Sequence, residues 1–371
     1  MENFNQHKKV IISGGGTGGH IFPAISIANA LKALKPDIEI LFVGAIGRME
    51  MEKVPAAGYK IIGLPISGFQ RKISLGNIKV ITQLMYSLLK ARKIISDFRP
   101  DIAVGVGGYA SGPLLKIASQ KGIPTVIQEQ NSYAGVTNKL LAKKAAKICV
   151  AYEGMERFFQ KDKIIITGNP VRQDLDSIAN KEEEAIKYFG LDKSKKTVLI
   201  LGGSLGARTV NDSLAQNLDL LKYENIEVIW QTGPRYFEEM KRKADASGAA
   251  NIKPMAFISR MDLAYAAANL VVSRAGAGTI SELCLVGKAS ILVPSPNVAE
   301  DHQTKNAMSL TNRNAAIMVK DSEAKQTLVK TMLDTARNDE ELIRLSQNIL
   351  KLAERDSAKR IAQEILKLIH G

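Results

Sequence analysis

Three glycine-rich turns, each following a run of apolar β-formers, constrain this chain more than any other feature. They are Gly14-Gly15-Gly16-Thr17-Gly18-Gly19-His20, Gly105-Val106-Gly107-Gly108-Tyr109-Ala110-Ser111-Gly112-Pro113 and Gly202-Gly203-Ser204-Leu205-Gly206-Ala207. Strand, glycine turn, helix is the order in which an α/β sheet presents bare backbone N–H groups and a helix N-terminus to a phosphate. Two of the turns lie in the first half of the chain. The third lies in the second half, where a fourth, Ser273-Arg274-Ala275-Gly276-Ala277-Gly278-Thr279, joins it. That layout predicts two similar lobes facing a shared cleft, and 371 residues are enough for two domains of ordinary size.

The hydrophobic pattern agrees. Strand-like runs at 8–13, 38–43, 59–64, 102–106, 125–128 and 148–151 alternate with helical stretches at 22–35, 67–98 and 114–120. The second half repeats this, with strands at 197–201, 227–231, 270–273 and 290–293 and helices at 209–221 and 280–286. Alternation of this kind predicts βαβ units, parallel sheets and an α/β fold of two Rossmann-like lobes. The first domain is expected over 1–168 and the second over 169–349, with Gly168-Asn169-Pro170-Val171-Arg172 between them and a helical tail, about 350–371, joining the first.

A chain that is 45% hydrophobic and 24% charged can bury a full core. Cys149 and Cys284 stand far apart in apolar stretches and read as buried thiols of a reduced protein. No apolar run reaches the ~18 residues of a membrane span, and no signal-peptide core precedes the first strand. The expectation is a cytosolic protein, or one lying on a membrane from the cytosolic side. A net charge of +14 calls for an anionic partner. Aromatic residues are only 5% and no nucleic-acid-binding signature interleaves them with the basic ones, which argues against nucleic acid. An anionic membrane surface or anionic small substrates explain the charge as well.

Gly14, Gly16 and Gly19 satisfy G-x-G-x-x-G after a strand, the dinucleotide fingerprint. That fingerprint also wants an acidic residue at the end of the second strand; here the strand runs into Gly44-Ala45, which argues against NAD. Of four histidines, His20 and His302 follow strands. His20 at a helix start can cap or pack; beside a phosphate cradle it is also placed to take a proton from a hydroxyl nucleophile. Glu282, expected in the first turn of its helix, can satisfy the helix dipole or hold ribose hydroxyls. Asp174-Leu175-Asp176 has a D-x-D spacing, but it follows Pro170 between the lobes, so no metal site is expected.

Taken together, Gly14 to Ala24, Gly107 to Pro113, Gln128-Glu129-Gln130-Asn131, Gly168 to Arg172, Gly202 to Ala207 and Asp301-His302-Gln303 resemble the MurG family of N-acetylglucosaminyltransferases, in order and over nearly the whole chain. The resemblance implies a GT-B fold, UDP-N-acetylglucosamine as donor and lipid I, undecaprenyl-diphospho-muramoyl-pentapeptide, as acceptor. It also implies inversion to a β-1,4 linkage, no cofactor, no obligatory metal and a peripheral place on the cytoplasmic face of the bacterial plasma membrane.

Carried over by motif, the donor contacts are Thr17, Gly18, Gly19, Asn131, Arg172, Ser204, Ile258, the run Ala277, Gly278, Thr279, Ile280, Ser281 and Glu282, and either His302 or Gln303. Gly108, Tyr109 and Ser111 fall on the acceptor side. His20 is the first choice for the base and Glu129 the second. The basic residues Arg71, Lys72, Lys79, Lys90, Arg92 and Lys93 interleave with Phe69, Ile73, Leu75, Ile78, Leu84 and Met85. The loop 69–78 reads as a membrane-facing segment, and the helix after it either lies on the membrane or packs on the lobe. A UDP-N-acetylglucosamine 2-epimerase and a non-catalytic nucleotide-sugar-binding scaffold at the membrane are the rival readings.

Overall fold

The structure is a computed structural model describing residues 7–67, 76–171, 175, 178–203 and 205–370. The chain divides into two compact units, Met1–Val171 with Arg355–Gly371, and Arg172–Glu354. The first unit contains β1 (Lys9–Ser13), α1 (Gly18–Leu34), β2 (Glu39–Ala45), α2 (Glu50–Ala56), β3 (Lys60–Leu64), α3 (Gly76–Phe98), β4 (Ile102–Gly105), α4 (Ser111–Gln120), β5 (Thr125–Glu129), α5 (Val136–Ala142), β6 (Lys147–Val150) and β7 (Ile164–Ile166). The second has α6 (Glu182–Phe189), β8 (Lys196–Leu201), α7 (Arg208–Ala215), α8 (Leu218–Leu221), β9 (Ile226–Gln231), α9 (Phe237–Ser247), β10 (Ile252–Met255), α10 (Met261–Ala267), β11 (Leu270–Ser273), α11 (Ala277–Val286), β12 (Ala289–Leu292), α12 (His302–Thr311), β13 (Ile317–Met318), α13 (Ala324–Arg337) and α14 (Asp339–Leu350). Helix α15 (Ser357–His370) belongs to the first unit.

Both sheets are parallel and doubly wound. The first runs β3-β2-β1-β4-β5-β6-β7 and the second β10-β9-β8-β11-β12-β13. Each therefore reverses direction beside its first strand, at β1/β4 and at β8/β11, and the crevice beyond the carboxyl ends of those strands is where such sheets bind ligands. Strand alternation feeds a core on each face. In the first unit Val10 and Ile12 join Ala24, Ile27, Ala28 and Leu31 of α1 and Ile361, Ala362 and Ile365 of α15. Ile11 points the other way, into a cluster with Ile94 and Ile95 of α3 and Leu114 and Leu115 of α4. A strand covered on both faces must be apolar throughout, which is why Val10, Ile11 and Ile12 run without a polar break.

Three helices begin three or four residues earlier than the sequence pattern predicts. α1 starts at Gly18 rather than residue 22, α4 at Ser111 rather than 114, and α11 at Ala277 rather than 280. The glycines that read as turn residues form first helical turns instead, where a glycine costs little and a bare amide is of use. The expected helix 209–221 is two, α7 and α8, separated around Asn217, whose side chain donates to Ser213 O at 2.8 Å. Expected segment 67–98 holds α3 from Gly76 on; residues 68–75, with most of the expected membrane loop, lie outside the described residues.

Candidate active site

At the β1/β4 switch point the first two glycine turns interlock. Gly15 N donates to Gly107 O at 3.3 Å. Gly107 and Gly108 adopt φ of +94° and +88°, and a Cβ on Gly108 would lie 2.3 Å from Gly15 O. A Cβ on Gly107 would meet the His20 ring, 2.6 Å from Cδ2 and 2.8 Å from Nε2. Glycine is therefore required at both positions by backbone conformation and by contact. The turn leads straight into α1, with Thr17 in extended conformation as its N-cap residue. Gly18 and Gly19 follow, whose amides have no acceptor inside the helix, and His20 completes the first turn. The His20 ring is half-buried, with Nδ1 3.1 Å from Gly15 O and 3.3 Å from Thr17 Oγ1. His20 thus stands where the two turns meet.

Around it, Tyr109 is 49% exposed at the tip of the second turn. Ser111, expected on the acceptor side, is fully buried, and its hydroxyl lies 3.0 Å from Ser13 O and 2.9 Å from Gly107 O. Ser111 thereby ties the end of β1 to the second turn. Beyond β5, Gln130 Nε2 donates to Val106 O at 2.7 Å, Gln128 Nε2 to Asn169 Oδ1 at 2.9 Å, and Asn169 Nδ2 to Gln130 O at 2.9 Å. This buried network fixes the segment that carries Glu129 and Asn131. Glu129 is 1% exposed and accepts from Asn131 N and Nδ2, from Gly135 N and from Asn138 Nδ2, at 2.9 to 3.3 Å. Its two oxygens are given over to shaping the loop that presents Asn131.

One residue of this site escaped the sequence reading. No carboxylate ends β2, yet Glu50 at the start of α2 turns back toward it and is completely buried. Glu50 Oε1 accepts from Ala45 N and Oε2 from Gly16 N, both at 2.9 Å. The only trace in the sequence is a pair of glycines, Gly15 and Gly44, at each of which a Cβ would run into the Glu50 side chain.

In the second unit the turn after β8 is braced in the same way. Gly206, at φ +84°, has no room for a Cβ, which would lie 2.4 Å from Thr232 O. Gln231 Nε2 donates to Gly203 O at 3.2 Å, and Gln231 Oε1 accepts from Ile258 N at 3.0 Å. Ile258, expected among the donor contacts, is itself 1% exposed.

Across the switch point, α11 opens on Gly276 with Ala277, Gly278 and Thr279 in its first turn. Ile280 is buried, and Ser281 Oγ donates to Ala277 O at 3.0 Å. Glu282 lies in the second turn, not the first, and its Oε2 accepts from Tyr265 OH at 2.9 Å. The dipole explanation weakens there, because that effect is confined to the first turn. Arg274 Nη1 donates to Val293 O at 3.1 Å and pairs with Asp321, joining the turn after β11 to the segment after β12.

His302 and Gln303 begin α12; Gln303 Oε1 accepts from Ser295 N at 2.9 Å. Arg172, Ser204, Asp174 and Asp176 lie outside the described residues. Burial pushes the Cys149 and Cys284 thiols up to about 12, far from thiolate chemistry. Among the described residues no group of three or more His, Cys, Asp or Glu side chains is placed to hold a metal ion.

Two parallel Rossmann-like sheets with braced glycine turns at both switch points are the architecture of two-domain nucleotide-binding α/β proteins. Residues 10–150 match the Glycosyltransferase family 28 N-terminal domain and residues 197–363 its C-terminal domain. A Parabacteroides distasonis protein named UDP-N-acetylglucosamine--N-acetylmuramyl-(pentapeptide) pyrophosphoryl-undecaprenol N-acetylglucosamine transferase is 61% identical over 361 residues, 97% of this chain and 98% of that protein. The crystal structure of Acinetobacter baumannii MurG matches with a TM-score of 0.77 at 27% identity, over 97% of this chain and 99% of that one. The chain belongs to the MurG family of N-acetylglucosaminyltransferases, with the two-domain GT-B architecture. A UDP-GlcNAc 2-epimerase from Neisseria meningitidis is also similar, with a TM-score of 0.64 at 14% identity over 97% of this chain and all of that one, which is a likeness of fold alone.

Proposed function

We propose that this chain moves N-acetylglucosamine from UDP-N-acetylglucosamine to the C4 hydroxyl of the muramoyl sugar of lipid I, in a single inverting displacement. The observation that carries this is the near-complete match to a transferase of that name at 61% identity. The bond between the sugar C1 and the diphosphate oxygen breaks as the bond from the acceptor oxygen to C1 forms, and the hydroxyl proton passes to His20. The departing UDP gains negative charge, which the amides opening α11 and the glycine turn after β8 are suited to stabilise; by motif alone, Arg172 and Ser204 are assigned to the same diphosphate. Because Glu129 is enclosed by four donors, His20 is the better proton acceptor, and Glu129 is read as the organiser of Asn131.

No helix among the described residues is long and apolar enough to cross a membrane. α3 nevertheless exposes Ile81, Met85, Tyr86 and Leu89, between 53 and 66% accessible, while Ile94 and Ile95 on its other side are buried. With a net charge of +14, this stripe supports attachment to an anionic membrane surface, and we place that surface on the cytoplasmic side, where an undecaprenyl-linked acceptor is reached.

The test is direct. Purified protein with UDP-N-acetylglucosamine and a soluble lipid I analogue is expected to yield disaccharide product and UDP by mass spectrometry. Epimerised nucleotide sugar formed without acceptor would instead favour the epimerase, and donor binding without any turnover a scaffold. His20→Ala is expected to bind donor with wild-type affinity and lose at least ~100-fold in kcat; wild-type turnover by that variant would remove His20 from the mechanism.

A further inference from the structure

We infer that Glu50 is the positioning residue for His20, acting through the single peptide group between Gly15 and Gly16; this rests on the reading of His20 as the base. The two bonds that carry the inference belong to one peptide plane. The N–H of Gly16 donates to Glu50 Oε2 at 2.9 Å, and the C=O of Gly15 lies 3.1 Å from His20 Nδ1. A carbonyl oxygen can only accept, so Nδ1 must carry the proton, and in the neutral ring the lone pair is then on Nε2. A carboxylate on the N–H side of an amide draws the amide dipole toward itself and makes the carbonyl a stronger acceptor, as linked hydrogen bonds do. The chain carboxylate, peptide, imidazole thus does what a carboxylate bonded directly to a histidine does in hydrolases and metal sites: it fixes the tautomer and favours the protonated ring that forms when the base takes its proton.

Burial makes the arrangement hard to explain as a filler. Glu50 has no exposed surface, and among the described residues no cation pairs with it; only the two amides of Gly16 and Ala45 compensate its desolvation. A purely structural brace at the end of β2 would be served by a neutral side chain. Instead two glycines are kept clear for the carboxylate: a Cβ at Gly15 would lie 2.1 Å from Glu50 Oε1, and one at Gly44 2.5 Å from Glu50 Cγ.

The experiment compares wild type, Glu50→Gln, His20→Ala and the double variant in the lipid I analogue assay, alongside ¹⁵N spectra of histidine-labelled protein. With four histidines in the chain, the His20 signals are assigned by their loss in His20→Ala. Wild type is expected to show a protonated Nδ1 and an unprotonated Nε2 on His20. Glu50→Gln is expected to shift population toward the other tautomer and to lower kcat on the order of 10-fold, with KM for UDP-N-acetylglucosamine within twofold. The same change is expected to have no further effect in the His20→Ala background.

An Nε2-protonated ring in wild type, an unchanged tautomer in Glu50→Gln, or an equal loss in both backgrounds would overturn the assignment. The wild-type spectrum decides even if Glu50→Gln folds poorly. Normal turnover by His20→Ala would remove the base reading, while the tautomer comparison would still measure the hold of Glu50 on the ring.

Discussion

At the scale of single residues, the site depends on atoms that are missing. Gly107 and Gly108 lie where a methyl group would strike the His20 ring and Gly15 O, both at positive φ. Gly108→Ala is therefore expected to destabilise the first unit by on the order of 2 kcal/mol from backbone strain and displaced neighbours, read as a lowered melting temperature. Gly107→Ala is expected to carry a similar backbone strain and in addition to lower kcat, because the side chain it pushes aside is His20; steady-state kinetics beside a thermal melt separates the two effects. The sequence showed which glycines matter, but not for whom each keeps space. Gly15 stands inside a glycine motif and Gly44 outside any, and only the fold reveals that both make room for Glu50, a residue with no motif of its own.

Elements carry a different kind of information. The parallel strands were legible because a strand covered on both faces has to be apolar, and the runs at β1, β4, β8 and β11 are. Helix starts were not legible, since glycine stands equally in turns and in first helical turns. Strand β10 escaped notice because Pro254 interrupts it, which an edge strand tolerates.

Asp262, in the first turn of α10, shows how a helix is held to its neighbours. It accepts from Arg260 Nε and Nη2 and from Lys181 Nζ, each at 2.9 Å, and the Arg260 guanidinium beside it holds its carboxyl far below the usual carboxylate range. A depressed folded-state pKa means stability that is present above the unfolded value, ~3.9, and is lost as pH falls through the folded one. Asp262→Asn is thus expected to melt below wild type at neutral pH, the gap closing progressively below about pH 4 in thermal melts. On α3, Ile81→Ser with Leu89→Ser is expected to weaken binding to anionic vesicles on the order of 10-fold or more in a sedimentation assay, with turnover on a soluble acceptor analogue preserved.

At the scale of the whole molecule, two units of one architecture divide the chain, and the division was legible from the repeated order of strand, glycine turn and helix. The return of α15 to the first unit follows from its apolar face: Ile361, Ala362 and Ile365 share a core with Ala24, Ile27, Ala28 and Leu31. Cutting the chain after Glu354 is expected to leave that face of the first sheet uncovered. Calorimetry on the shortened chain should then show the first unit's transition lost, and cooperative melting of the second, whose core from Val198 to Leu345 needs nothing from α15.

The same packing sets a timetable for biogenesis. On the ribosome, α15 is polymerised only after all of Arg172–Glu354, a stretch that takes on the order of 10 to 40 s at ordinary elongation speeds. Throughout that interval the nascent amino-terminal half has a greasy, uncapped flank while the later-made half can already close. The order of synthesis and the order of completion are therefore reversed, and chaperone demand should concentrate on the part that emerges first.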